Sequence, residues 1–316
     1  MTRVAILDDY QRVALSAADW SVLGTGVSVQ PFHERIGNED VVAERLRNFD
    51  VIVAMRERTP FPGTLIERLP ALKLLVTTGR RNAAIDVKAA ASRGIVVSGT
   101  STLSAPPVEL TWGLILSLAR HIPHESAAMR NGSWQTTIGL GLHGKTLGVI
   151  GLGRLGSDVA KIGRAFGMDV IGWSQNLTRE VTDPLGVELV SKDSLFQRAD
   201  VVTVHLVLSE RTRGVVGEQE LRLMKRSALL VNTARGPIVD EQALVHALRH
   251  SVIAGAALDV FDEEPLPVNH PLRRLENALL TPHLGYVTSE NYRLAYGEAV
   301  DDIRAFLGGT PVRVIG

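Results

Sequence analysis

Short apolar runs rich in valine, isoleucine and leucine recur at Val4 to Leu7, Asp50 to Ala54, Leu72 to Val76 and Ile95 to Val97, with helix-length segments between three of them. Continuous apolar runs of this length suit strands buried on both faces, and their alternation with helical patterns predicts a parallel α/β sheet covered by helices. A long amphipathic helix is predicted over Val108 to Arg120, started by Pro106-Pro107, and is read as the bridge to a second domain. A second strand series follows at Thr146 to Ile150, Asp169 to Trp173, Val201 to Val204, Ala228 to Asn232, Ala254 to Leu258 and Ala278 to Leu280. Six strands match a doubly wound dinucleotide fold. A helix is predicted from Ser289 to Leu307, stopped by Gly308-Gly309, and with no strand of its own in the second series it is assigned back to the first domain.

Gly151-Leu152-Gly153-Arg154-Leu155-Gly156 lies directly after the strand ending at Ile150 and before a helical run over Ser157 to Phe166. The first glycine permits the tight turn, the second lets a pyrophosphate approach the backbone, and the third lets helix and strand pack closely. Free amides at the helix start then face the phosphates, so this loop is a candidate dinucleotide site. The next strand ends Gly172-Trp173-Ser174-Gln175-Asn176. An acidic residue at that strand end would bind a ribose 2′-hydroxyl and repel a 2′-phosphate, and none stands there. The cofactor is read as NAD(H) or NADP(H), with NADP favoured, although Arg179 is near rather than at the strand end.

A chain of 316 residues favours two domains. Its 34 basic and 34 acidic residues cancel and form no long block, so nothing points to nucleic acid or an anionic membrane, and a small-molecule partner fits better. The first apolar run meets Asp8 and is too short for a signal-peptide core or a bilayer span. The chain contains no cysteine, which excludes disulfides, thiolate metal ligands and a cysteine nucleophile and suits a reducing compartment. A cytoplasmic protein with no metal site is expected.

Three downstream segments carry a specific resemblance: Val231-Asn232-Thr233-Ala234-Arg235-Gly236, Leu258-Asp259-Val260-Phe261-Asp262-Glu263-Glu264-Pro265 and Thr281-Pro282-His283-Leu284-Gly285. With Gly144 to Gly151 they resemble the D-isomer-specific 2-hydroxyacid dehydrogenases over essentially the whole chain. The resemblance implies an α/β fold of two Rossmann-like domains. One is a doubly wound NAD(P)-binding domain over 101–287; the other is a flavodoxin-like substrate domain formed from both chain ends, 1–100 and 288–316. It also implies that Arg235 grips the substrate carboxylate and keto oxygen, for which a planar guanidinium offers two parallel donors. His283 would exchange a proton with the substrate oxygen, and Glu264 would orient its ring and favour the imidazolium. Asp259 matches a position that contacts the nicotinamide carboxamide, and Thr233 and Gly285 fall at cofactor-facing positions. Arg154 could meet the pyrophosphate by charge. His205 matches a position near the cofactor, but Leu206-Val207-Leu208 replaces the usual proline-containing pair, so a plain strand-end histidine is the competing reading.

The chain departs from that pattern in a loop implied to bind the substrate carboxylate, Thr77-Thr78-Gly79-Arg80-Arg81-Asn82, where Arg81 replaces a second glycine. Tyr286 stands where a small residue is commoner. With Arg56, these residues are candidates to face the far end of a substrate larger or more anionic than glyoxylate. The resemblance also implies a homodimer joined through the cofactor domain and substrate bound between the domains. Two competing readings are a formate- or phosphite-type dehydrogenase, disfavoured by Glu264, and a non-enzymatic dinucleotide-sensing regulator.

Overall fold

Five parallel strands, β1 (Thr2–Ile6), β2 (Val27–Pro31), β3 (Val51–Ala54), β4 (Leu74–Thr77) and β5 (Val96–Gly99), form one sheet in the order β2-β1-β3-β4-β5. That order is flavodoxin-like, with its switch point between β1 and β3. The computed structural model describes residues 1–316, and this sheet lies in a unit made of Met1–Leu103 and Val287–Gly316. The apolar pattern missed β2. Its residues are mostly half-buried at the sheet edge and it ends on Pro31, so it lacks the continuous apolar run of an inner strand.

One face of this sheet packs Ala5, Ile52, Ala54 and Leu75 against Leu46, Leu65, Ile66 and Leu69. The helix Ser289–Leu307 contacts β4 and the short helix Ala14–Ala17, burying Tyr292, Tyr296, Ala299, Val300 and Ile303. Thr288 caps its start by accepting from the Asn291 amide, and Gly309 at φ +79° follows its end. The last residues return to the sheet edge, where the Ile315 amide donates to the Val97 carbonyl at 2.7 Å.

The second unit, Ser104–Tyr286, holds seven parallel strands rather than the six expected. They are β6 (Thr146–Ile150), β7 (Asp169–Trp173), β8 (Glu188–Leu189), β9 (Val201–Val204), β10 (Leu229–Asn232), β11 (Gly255–Leu258) and β12 (Ala278–Leu280), in the order β12-β11-β10-β9-β6-β7-β8. The additional strand, β8, pairs only two residues with β7, too few to show a periodic signal. From β8 to β11 this is the doubly wound order, and the switch point lies between β6 and β9.

Neighbouring residues of one strand enter opposite cores: Val201 and Val202, Val231 and Leu230, and Ala257 and Ala256 divide between two apolar clusters. Burial on both faces is why these strands read as unbroken apolar runs. The long helix spans Ala105–Ala119, so its two prolines sit inside the first turn, and it packs on β10, β11 and the helix Arg154–Ala165 within this unit. No helix is long and apolar enough to cross a membrane.

Candidate active site and dinucleotide loop

The glycine loop emerges from β6 at the switch point of the second sheet. Gly151 has φ +94°, a left-handed angle that favours glycine, and a Cβ there would come within 3.0 Å of the His205 carbonyl. The helix begins at Arg154, earlier than the apolar pattern suggests, so Gly156 lies inside its first turn, where a methyl would run into the Gly151 carbonyl oxygen. Gly153 is different. It is the exposed N-cap residue, and a Cβ there meets nothing within 4 Å. The cradle therefore combines close packing behind, open space in front and the unpaired amides of a helix start, which fits a dinucleotide pyrophosphate. Leu155 is half-buried and Arg154 is exposed at the rim.

His205 stands behind the loop. Its ring lies 2.9 Å from the Thr203 hydroxyl, and burial pushes its pKa down to about 4, so it is neutral near pH 7. Ser174, Gln175 and Asn176 line a cavity of about 350 Å³ with Trp173 and with Leu206, Val207, Ser209, Arg211 and Thr212 from beyond β9. Gln175 donates to the Arg211 carbonyl at 3.3 Å, joining the two walls. No acidic side chain lines this cavity, and Arg179 does not reach it.

Arg235, Glu264 and His283 follow β10, β11 and β12, three adjacent strands whose carboxyl ends share one edge of the sheet. Asn232 is buried at the end of β10 and braces the arginine turn, donating to the Arg235 carbonyl and accepting from the Ala234 amide. Thr111 donates to the Pro107 carbonyl at 2.7 Å, so its hydroxyl oxygen is left to accept from Thr233 at 2.8 Å. His283 Nδ1 lies 2.6 Å from Glu264 Oε2. Burial raises the Glu264 pKa, but the His283 hydrogen bond and charge, the Phe261 amide and the Arg235 charge together outweigh it and leave the carboxyl below its usual range.

His283 has φ +55°, an uncommon angle for a non-glycine residue. The buried Asp259 carboxylate holds the turn that bears it, accepting from Thr281 Oγ1 at 2.6 Å, the Leu284 amide at 2.7 Å and the Gly285 amide at 2.9 Å. Burial nonetheless raises the Asp259 pKa against the opposing pull of those donors and the His283 charge. Thr281 and Asn232 were not singled out from sequence. Their signal was adjacency to the histidine and arginine segments, but their partners are visible only in three dimensions. The Tyr286 ring is buried and meets the His283 imidazole edge-on, with centroids 5.7 Å apart.

In the first unit, Gly79 has φ +141°, and a Cβ on it would strike the Arg56 guanidinium. Arg56, at φ +52°, donates its amide to Thr78 Oγ1, while Asn82 Nδ2 donates to the Arg56 carbonyl and to Thr77 Oγ1. Arg80 and Arg81 are exposed, and Arg81 lies outside the left-handed region, so arginine fits the backbone where the family pattern has glycine.

Residues 112–285 match the family model for the D-isomer specific 2-hydroxyacid dehydrogenase NAD binding domain. The chain belongs to that family. D-3-phosphoglycerate dehydrogenase of Methanocaldococcus jannaschii is 41% identical over 275 residues, covering 86% of this chain and 52% of the relative, so the chain spans about half that relative's length. Glyoxylate reductase of Aeropyrum pernix is 42% identical over 255 residues, 78% of this chain and 76% of the relative. A solved phosphoglycerate oxidoreductase from Vibrio cholerae O395 superposes with a TM-score of 0.93 at 37% identity, covering 98% of this chain and 100% of that one. As a member of the family, the chain carries its nicotinamide dinucleotide-binding domain in the second unit.

Proposed function

We propose that the chain is an NAD(P)-dependent oxidoreductase that interconverts a 2-keto acid and a D-2-hydroxy acid. The observation that carries this reading is the 2.6 Å pairing of His283 Nδ1 with Glu264, on a strand edge that also bears Arg235. Because a carboxylate only accepts, Nδ1 carries the hydrogen, which leaves Nε2 to face the substrate. In reduction His283 donates its Nε2 proton to the keto oxygen, and in oxidation it takes that proton back. Arg235 holds the substrate carboxylate by paired donors, and Glu264 fixes the orientation and tautomer of the imidazole. A nicotinamide dinucleotide held by Gly151, Gly153, Gly156 and the helix start supplies the hydride chemistry when bound.

We assign the dinucleotide role to the domain over 101–287 and the substrate role to 1–100 with 288–316. Arg56, Gly79, Arg80 and Arg81 are its anion-binding elements, and Tyr286 shapes the surroundings of His283. This excess of arginine supports a substrate larger or more anionic than glyoxylate. The absence of an acidic side chain beside Ser174 to Asn176 supports NADP over NAD. Ile122, Met129, Trp134 and Ile138 are exposed apolar side chains of one segment in the second unit, and they support a homodimer joined there, testable by light scattering. The cysteine-free composition supports a cytoplasmic location.

A panel of 2-keto acids assayed with NADH and NADPH side by side tests the reading. Turnover should be found, and be highest on an acid bearing a further polar or charged group. Best turnover on glyoxylate or pyruvate overturns the size assignment, and no cofactor-dependent absorbance change with any acid overturns the enzyme.

A further inference from the structure

We infer that Arg211, on the loop beyond β9, is the residue that selects a 2′-phosphorylated adenosine, taking the place of the missing cation at the end of β7. This rests on the proposed NADP preference and names the side chain responsible. The strand end itself offers only Ser174, Gln175 and Asn176, which can hydrogen-bond a phosphate but carry no charge to balance it. Arg179, the basic residue next along the chain, stands on a short helix outside the cavity, whereas Arg211 lines it.

The sheet order explains the substitution. β6 lies between β7 and β9, so the loops after β7 and β9 flank the glycine loop and form opposite walls of one cavity. A residue 35 or more positions away in sequence thereby faces the strand end. The hydrogen bond from Gln175 to the Arg211 carbonyl ties the walls together. Thr212 anchors the same turn, donating to the Val207 carbonyl at 2.7 Å and accepting from the Ser209 amide at 2.8 Å, so the loop bearing Arg211 is internally braced. Arg211 is exposed and its side chain is committed to no ion pair, which leaves its fork of donors available to a phosphate dianion.

Calorimetric binding of adenosine 2′,5′-bisphosphate and of 5′-AMP tests this without turnover, on the wild type and on the variants Arg211→Gln and Arg179→Gln. The wild type should prefer the bisphosphate, and Arg211→Gln should weaken it roughly tenfold or more while moving 5′-AMP less than about twofold, the size expected for one charge-assisted phosphate contact. Arg179→Gln should bind both as the wild type does. Equal wild-type affinity for the two ligands overturns the NADP reading and the inference with it. A wild-type preference that survives in Arg211→Gln overturns the role of Arg211 alone, and its loss in Arg179→Gln instead reassigns the contact and overturns the inference. Circular dichroism confirms that each variant is folded before its affinity is read.

Discussion

His283 Nδ1 stands 2.6 Å from Glu264 Oε2, while the other oxygen of that carboxylate accepts from the Phe261 amide at 3.0 Å. The carboxylate is thus pinned at one end by its own turn and presents its other end to the imidazole. The loops that follow two strands paired only in the folded sheet supply the two residues.

His283→Ala should leave the fold intact and cut turnover by about 10² to 10⁴, the usual weight of a positioned acid or base. Steady-state kinetics beside a thermal melt checks this, and near-normal turnover would sink the mechanism. Glu264→Gln keeps a side chain of the same shape but can turn its amide nitrogen toward Nδ1, so the fixed tautomer is lost and the kcat of keto-acid reduction should fall while KM moves less. Steady-state kinetics of reduction are the measurement, and an unchanged kcat refutes the role.

Asp259 accepts three hydrogen bonds from the turn that carries His283. In Asp259→Asn one end of the side chain becomes a donor, so at least one buried partner loses its acceptor at a cost of about 1–3 kcal/mol. We expect a lowered melting temperature and a kcat that falls together with it. A variant as stable and active as the wild type would show that the turn holds itself.

Gly153 and Gly156 should separate binding from folding. A methyl at Gly153 meets open space, whereas one at Gly156 meets the Gly151 carbonyl. Gly153→Ala should therefore melt like the wild type and lose dinucleotide affinity, while Gly156→Ala should lose stability as well. Dinucleotide titration by fluorescence together with melts distinguishes them, and unchanged affinity in Gly153→Ala would remove the pyrophosphate from this loop.

His205 is held neutral in the fold down to about pH 4, against an ordinary value of 6.5. Between those values the unfolded chain binds the proton and the folded chain does not, so the stability from this residue is present above 6.5 and lost as pH falls to about 4. The amount is on the order of 3 kcal/mol. His205→Gln should flatten the fall in melting temperature across that window, and parallel curves for variant and wild type would show that burial of His205 is not what sets it.

Inner strands were legible in the sequence because burial on both faces writes an unbroken apolar run, as in Val51–Ala54 and Val201–Val204. The glycine loop was legible because its chemistry is local: a tight turn, a close approach and a helix start fall within six residues. The helix Ser289–Leu307 was legible from its period and its glycine stop. The edge strands β2 and β8 were not, since β2 is largely half-exposed and β8 pairs two residues, and neither leaves a periodic trace.

The local sequence could supply Arg235, Glu264 and His283 as residue types in a family-like frame, but not their meeting. Only the parallel order β10-β11-β12 puts their strand ends side by side, and the Asp259 carboxylate, buried beneath the turn, braces His283 at a left-handed angle. Likewise Ser174 and Arg211 are separated by two further strands, β8 and β9, with the helices between them, and become opposite walls because β6 is threaded between β7 and β9. Short-range chemistry is written along the chain, whereas contacts across a sheet depend on strand order, which no single segment encodes.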